Sequence, residues 1–349
     1  MIRKINIKKL TNWEYWPSSM FYIPNVPYAI YLAIRANHVA FFSAANPAIK
    51  SSGNGTESKY KTIQLVPIQF RPKSILAKPD TSFQEVIHEI ETLKIPFPLI
   101  AKPDIGFRGL LVKKINSEIE LKQYLENYPI DIIIQEFIDY KNECGVFYHR
   151  QPNTQKGNIS SITLKKFISV TGNGNSSLRD LILRDNRARV YIQLFEEIHK
   201  DIISSIIQEG KEIKLTVIGN HSKGTQFING NHLITEKLEN TFNQLSYAIE
   251  GWFYGRVDLK YNSFKDIEEG IGFKILEING IIAEPTHIYD AKNFTYFKAL
   301  KAIRTHWKSL FDISVENHKV HNIPYKSSKQ FIREMFQLKK YISAIKKLQ

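Results

Sequence analysis

The chain has 349 residues, 43% of them apolar, with 21 Phe and 17 Tyr, which is material for a folded core in one large multi-lobed unit or a few smaller ones. Its one cysteine, Cys144, excludes a disulfide framework and any multi-thiolate metal site, and fits a reducing cytoplasm. A net charge of +14 points to anionic partners, among which nucleotides, acidic metabolites, nucleic acid and anionic lipid all qualify.

Arg3, Lys4, Lys8 and Lys9 precede no apolar core, so no signal peptide is expected. No apolar stretch approaches the roughly 20 residues of a transmembrane helix. The nearest, Met20–Ile34, is broken by Pro24 and Pro27 and followed by Arg35. Residues 1–70 are rich in Trp, Tyr, Phe and Pro and read as a small lobe, with apolar segments at Tyr28–Ile34 and Val39–Ser43. Packing into that lobe's core accounts for these aromatics better than rest on a membrane surface. Gly53-Asn-Gly55-Thr-Glu-Ser58-Lys59 reads as a surface loop, with an anion cradle as the alternative.

Further along, Phe83, Val86, Ile87, Ile90 and Leu93 keep a helical period that predicts a helix over Thr81–Leu93, capped by Thr81 or Ser82. Phe97–Ala101 is a short strand, followed by a glycine turn and a strand at Leu110–Lys113. Ser117–Leu125 reads as a helix and Asp131–Phe137 as a buried strand. Ile159–Val170 is β-rich, Gly172–Gly174 a tight turn, and Ser177–Arg184 the start of a helix. Long helices are expected over Ala188–Glu209 and Thr235–Gly251. Strands and helices mix without strict alternation, so the class is α+β with antiparallel sheets.

Phe253–Tyr261 and Gly272–Asn279 are strand-like, joined by a polar, Gly-containing turn that suits a hairpin. Alternation puts Arg256 with Asp258 and Glu277 with Asn279 on one face, leaving Val257, Leu259, Leu276 and Ile278 for the core. Oxygen ligands of this kind suit Mg²⁺ (or Mn²⁺) held together with substrate phosphates, and the arginine is free to meet negative charge. A solvated hairpin has no need of charges in phase on both strands. At Lys102, Gly106 and Gly109, a strand, a lysine and a glycine loop let backbone amides approach phosphate oxygens, although the ending of a Walker A loop is missing. A buried strand running into Gln135, Glu136, Phe137 and Ile138 could link two lobes, with its backbone open to an adenine edge and Glu143 open to ribose hydroxyls. Taken alone, an ordinary core strand explains it as well. Arg150 as a grip on a carboxylate and His287 as an acid/base group each stand beside a plain structural reading.

In order, these parts resemble the ATP-grasp superfamily over residues 70–300. The nearest flavour is D-alanine–D-alanine ligase and other carboxylate–amine ligases. Val170-Thr-Gly172-Asn-Gly174 through Ile182 and Gly219-Asn-His-Ser-Lys-Gly-Thr225 resemble segments of the cyanophycin synthetase module. The resemblance implies two α+β lobes gripping ATP, after a short aromatic lobe in place of a full Rossmann-like pre-domain. It implies Lys102, Gly106 and Gly109 at the ATP phosphates, Gln135–Ile138 at adenine and Glu143 at ribose. Lys165 would be a second phosphate lysine, with Lys166 competing, and Lys73 or Lys78 would be an earlier one. Asp258, Glu277 and Asn279 would hold Mg²⁺, while Arg256 and Gly280 would stabilise the acyl-phosphate and tetrahedral intermediate.

The domains expected are residues 1–75, an ATP-grasp domain over 76–320, and a basic amphipathic helix over 321–349. In that helix Phe331, Met335, Leu338, Ile342 and Ile345 form an apolar stripe, which packs on the body unless its basic face meets an anionic surface. The expected activity is ATP-dependent carboxylate–amine ligation on small molecules in the cytoplasm. Weak membrane contact is open, and no nucleic-acid partner is expected. The alternatives are a phosphotransferase or ester-forming ligase, or a basic membrane or nucleic-acid adaptor with a decayed site.

Overall fold

The computed structural model describes residues 12–106 and 109–348. The cations at Arg3–Lys9 and the loop residues Phe107 and Arg108 lie outside the described residues. The aromatic N-terminal stretch is helical, with a single turn at Ser19–Tyr22 leading into α1 (Val26–Arg35). Trp13, Trp16 and Phe21 pack with Tyr289, Tyr296 and Trp307, so these rings serve as core. Helix α2 (Lys59–Gln64) is capped by Ser58, whose hydroxyl accepts from the Lys61 amide.

The next segment builds the first lobe from β1 (Ser74–Ala77), α3 (Phe83–Thr92), β2 (Leu99–Pro103), β3 (Lys113–Ile115), α4 (Glu118–Asn127) and β4 (Ile132–Glu136). Its sheet is antiparallel, in the order β1-β4-β2-β3. Ser82 and Glu85 form a capping box that starts α3 where the sequence places it. Val86 and Ile90 of α3 and Leu121 and Tyr124 of α4 cover Leu99, Ala101, Ile132 and Ile134 on one sheet face. Period-two alternation therefore turns Lys102 and Gln135 to the other face. The strand expected at Leu110–Lys113 begins only at Lys113, because Leu110 and Leu111 are buried in a turn.

The second lobe contains β5 (Asn142–His149), β6 (Asn158–Lys166), β7 (Ser169–Thr171), α5 (Leu178–Arg184), α6 (Ile192–Ile198), β8 (Glu212–Lys214), β9 (Gln226–Asn229), α7 (Glu236–Ala248), β10 (Tyr254–Tyr261), α8 (Phe264–Glu268) and β11 (Phe273–Asn279). Five strands form an antiparallel sheet, β11-β10-β5-β6-β9, backed by α2 and α7. Strands β7 and β8 pair separately over a small core of Leu178, Ile182, Phe195 and Leu215. The long helix expected over Ala188–Glu209 is absent: α6 ends at Ile198. The backbone carbonyls of Ile203 and Ser205 accept instead from the amides of Arg179 and Leu178, so cross-chain bonds draw that run out of the helix. Between β10 and β11 the connection contains α8, capped by Ser263, where a simple turn was expected. Helices α9 (Tyr296–Val320) and α10 (Ser328–Lys346) complete the chain. No helix among the described residues is long and apolar enough to cross a membrane.

Candidate active site

The two sheets face each other across a cleft of about 850 Å³. Pairing of β10 with β11 sets Arg256 opposite Asn279 and Asp258 opposite Glu277, so all four side chains share the cleft face. Val257, Leu259 and Ile278 fill the core as expected, but Leu276 does not. The register slips after Asp258, and Leu259 pairs with Ile275. Leu276 is the extra residue of a bulge: it lines the cleft, and Ile275 takes the core position.

The charges form a connected array. Arg256 grips Asp258 through two bonds, Nε to Oδ1 at 3.2 Å and Nη2 to Oδ2 at 3.0 Å. Lys165 Nζ lies 3.0 Å from Asp258 and 2.8 Å from Glu143. Burial opposes ionisation of Asp258, but Arg256 and Lys165 override it and hold the carboxyl well below its usual range. Burial likewise opposes the Lys165 ammonium, and Asp258 and Glu143 override it, raising its pKa. Asn279 donates to Asp258 at 2.9 Å. Glu277 is bonded to Lys59; burial raises its carboxyl, and Lys59 more than reverses this.

Lys102 stands apart. Its Nζ donates to Gln135 Oε1 at 3.0 Å and to the Leu276 carbonyl at 3.3 Å, and it has no carboxylate within ion-pair distance among the described residues. Burial, with help from the charge on Lys59, pushes its pKa down to about 8 despite the pull of Glu277. An ammonium in a cleft with no carboxylate in contact is a place for an anion. Beside it, Gln135 Nε2 is buried with no hydrogen-bond partner among the described residues, an unmet donor next to the cleft.

The cleft also takes in Gly106, Gly109, Glu136, Phe137, Ile138 and Glu143, so the glycine loop and the segment between the lobes meet the charged array. Lys114 and Lys260 lie over the Phe137 ring at 4.4 and 5.0 Å. Of the two neighbours, Lys165 lines the cleft and Lys166 is exposed outside it.

Three expected residues are elsewhere. Lys73 does not line the cleft; it is exposed, with its Nζ bonded to the Lys94 carbonyl at the lobe's edge, because β1 runs away from the site after it. Lys78 is equally exposed on the far end of that strand. Gly280 is buried against the Ser52–Gly53 backbone and does not line the cleft; a Cβ there would stand 2.1 Å from the Ser52 carbonyl oxygen. It is a glycine because two backbones touch.

His287 is a core residue: its Nδ1 is 2.7 Å from Ser161 Oγ, and burial pushes its pKa down to about 4. Arg150 is buried outside the cleft, bonded to Ser246 and to the Thr154 carbonyl and sandwiched by Tyr247 and Phe253.

Several cleft residues escaped sequence reasoning. Lys59 sits in the loop read as surface with an anion cradle as the alternative; Asn54, Thr56 and Glu57 of that loop are buried, and the phase of one capped turn and contact with β11 bring Lys59 into the cleft. Glu14 meets His221 at 2.9 Å and is paired with Arg187, closing the cleft's far end. Glu284 accepts from Tyr22, and from Tyr289 at 3.1 Å, while its backbone carbonyl accepts from Arg256 at 3.2 Å. Glu14, Glu284 and the helix α10 residues Met335 and Leu338 all line the same cleft. Segments placed in three expected domains thus share one cavity.

Residues 56–148 match the family model of the RimK-like ATP-grasp domain. That span runs from the Lys59 turn through the first sheet into β5. No curated protein matches the sequence. Among solved structures, a bifunctional glutathione synthetase from Pasteurella multocida is 17% identical over 69% of this chain and 35% of its own, with a TM-score of 0.36. A D-alanine–D-alanine ligase from Bacillus anthracis is 16% identical over 74% of this chain and 66% of its own, TM-score 0.40. VanG D-Ala:D-Ser ligase from Enterococcus faecalis is 13% identical over 76% of this chain and 63% of its own, TM-score 0.43. This chain therefore spans less than two thirds of the length of each of them. The resemblance to the ATP-grasp superfamily carried by the ordered motifs stands on the matched segment, and the architecture is the α+β, antiparallel one it implies.

Proposed function

We propose that the protein is an ATP-dependent carboxylate–amine ligase of ATP-grasp type. The observation that carries this reading is the cleft itself: Lys102, Lys165 and Arg256 stand with Asp258 and Glu277 between two antiparallel sheets, in a chain whose first lobe is similar to an ATP-grasp domain. In this reading Lys102 and Lys165 hold phosphate oxygens, with Gly106 and Gly109 beside them. Gln135 to Ile138 border the adenine, and Gln135 Nε2 supplies a donor that protein groups leave unused. Glu143, already oriented by Lys165, faces the ribose.

The donors fit a hard cation. Asp258 and Glu277 face one another across the strand pair with Asn279 beside them, all oxygen ligands, and Mg²⁺ is held by one or two carboxylates plus substrate phosphates. Among the described residues no three His, Cys, Asp or Glu side chains form a metal cage by themselves. Mg²⁺ bound there would offset phosphate charge.

The γ-phosphoryl group passes to a carboxylate oxygen, giving an acyl-phosphate and ADP. An amine nitrogen then attacks the carbonyl carbon and gives up a proton; the C–N bond forms, the C–O bond to phosphate breaks, and phosphate leaves with that bond's electron pair. Arg256, fixed by its two bonds to Asp258, meets the charge on the transferring group. Glu284, held by two tyrosine hydroxyls next to Arg256, recognises the amine.

The experiment is a screen for ADP release with Mg²⁺-ATP and panels of carboxylates and amines, singly and in pairs. Release that needs one carboxylate and one amine together supports ligation. A stable phosphorylated product formed without any amine makes the enzyme a phosphotransferase.

A further inference from the structure

Residues 15–56 contain no Asp or Glu, and within this stretch helix α1 has a face that nothing covers among the described residues. Its inward side buries Leu32 against Phe41 and Phe311. Its outward side presents Val26, Ile30 and Ile34, which are 45, 54 and 73% exposed, and Ile23, 66% exposed, lies in the turn just before it. Their spacing of three and four residues makes them one stripe along the segment. Scattered apolar residues on a surface need no explanation, but a continuous stripe marks an interaction site.

The charge beside this stripe identifies the partner. Helix α9 runs alongside, joined where Arg304 Nε donates to Asn25 Oδ1 at 2.6 Å and Asn25 donates to the Leu300 carbonyl. Its outer face carries exposed Lys298, Lys301 and Arg304 at helical spacing, next to Phe297, which is 79% exposed. From Tyr296 to Phe311 the helix has no acidic residue. Cations on flexible stems on a helix packed against the one that carries the apolar ridge, in two stretches of sequence without carboxylates, complement an anionic lipid surface: the ridge enters the headgroup–acyl boundary and the cationic heads meet phosphates.

We propose that the α1–α9 face docks the protein on anionic membranes. The attachment is peripheral and does not depend on the ligase reading. The test is co-sedimentation of the full chain with phosphatidylcholine vesicles containing rising phosphatidylglycerol. Binding is expected to rise with phosphatidylglycerol and to fall with salt. Ile30→Glu with Ile34→Glu is expected to abolish it, while Lys298→Ala and Lys301→Ala each weaken it about fivefold. Ile119→Glu, at a position 72% exposed on the first lobe, serves as the control and is expected to change nothing. All these positions are exposed, so circular dichroism and melting are expected to stay as in the parent. Absence of sedimentation, or binding that survives the Ile30/Ile34 change, overturns the proposal. Loss of binding on Lys339→Ala with Lys346→Ala alone moves the contact to α10 and also overturns it. A concentration-dependent dimer without vesicle binding, abolished by the Ile30/Ile34 change, assigns the face to a second copy instead.

Discussion

Lys59 and Glu277, 218 positions apart, form an ion pair between the turn that starts α2 and the strand that carries the proposed metal ligand. The pair ties the N-terminal segment to the second sheet at the point where phosphate and cation are expected to enter. A phosphate attracts Lys59 and a divalent cation attracts Glu277, so binding of the two together can replace this bond without leaving either charge alone. Lys59→Ala is therefore expected to raise the KM for ATP by tenfold or more, whereas Lys73→Ala, at an exposed position outside the cleft, leaves it unchanged. Steady-state ADP release measures both, and equal effects from the two variants would show that Lys59 has no special place.

Lys102→Ala and Glu277→Gln are each expected to reduce ADP formation to background. Lys102 is the cleft cation with no carboxylate in contact among the described residues, and Glu277 is one of two carboxylates facing across β10 and β11. Neither side chain is part of an apolar core, so circular dichroism is expected to remain that of the parent. Full activity in either variant would remove the basis for the ATP-site assignment.

The depressed pKa of Lys102, at about 8, gives a pH dependence of definite sign. Below pH 8 the ammonium is charged and attracts phosphate; above it the free enzyme loses that charge. The kcat/KM for ATP is expected to fall as pH rises through 8, since this parameter reports the free enzyme. Lys102→Arg keeps its charge throughout and is expected to flatten that limb. For stability the sign is opposite. The unfolded chain holds this proton up to its ordinary pKa near 10.5, so between 8 and 10.5 it binds more protons than the folded one. The ligand-free protein therefore gains stability from this group across that window.

What the sequence disclosed follows from the range of each signal. The phase of Arg256, Asp258, Glu277 and Asn279 was legible because alternation acts over neighbouring residues, and the strand register preserved it. The same alternation misplaced Leu276, since a bulge inserts one residue and leaves no mark where two aliphatic residues, Ile275 and Leu276, stand side by side. Ser82 announced α3 through a local capping box, whereas the run after Ile198 was captured by long-range backbone bonds that no local pattern records. Lys59, Glu14 and Glu284 reach the cleft by tertiary packing of the N-terminal segment against α9 and the loop after β11. Lys73 looked equally suitable because spacing along the chain carries no direction in space.

The metal requirement follows from donor chemistry. Two carboxylates and an amide, without Cys or paired His, favour a hard cation. Activity is expected with Mg²⁺ or Mn²⁺, to disappear with a chelator and to return on adding either ion. Stoichiometric zinc in protein purified without added metal, retained through dialysis, would contradict the assignment.

Helix α10 tests whether the C-terminal segment is a structural part of the cleft. Its stripe packs on the body: Phe331 lies 5.1 Å from the Phe42 ring, Met335 and Leu338 line the cavity, and Ile345 is buried against Leu110 and Leu111. Glu334, bonded to Lys326, Ser51 and Asn54, fixes the helix's first half, and Ile345 fixes its end beside the glycine loop. Lys339, Lys340 and Lys346 point away and make no ion pair among the described residues. Ile345→Ala is expected to cost about 2–4 kcal/mol, because it empties a buried site at the loop. Loosening that anchor also unpacks Leu110 beside Gly109 at the cleft, so the KM for ATP is expected to rise together with the loss of stability. Lys339→Ala and Lys340→Ala are expected to leave both unchanged. Thermal melting with and without ATP separates the contributions: the Ile345 variant melts lower in both conditions and gains less from ATP than the parent. An unchanged melting temperature in that variant would show that the helix is not held where Ile345 places it.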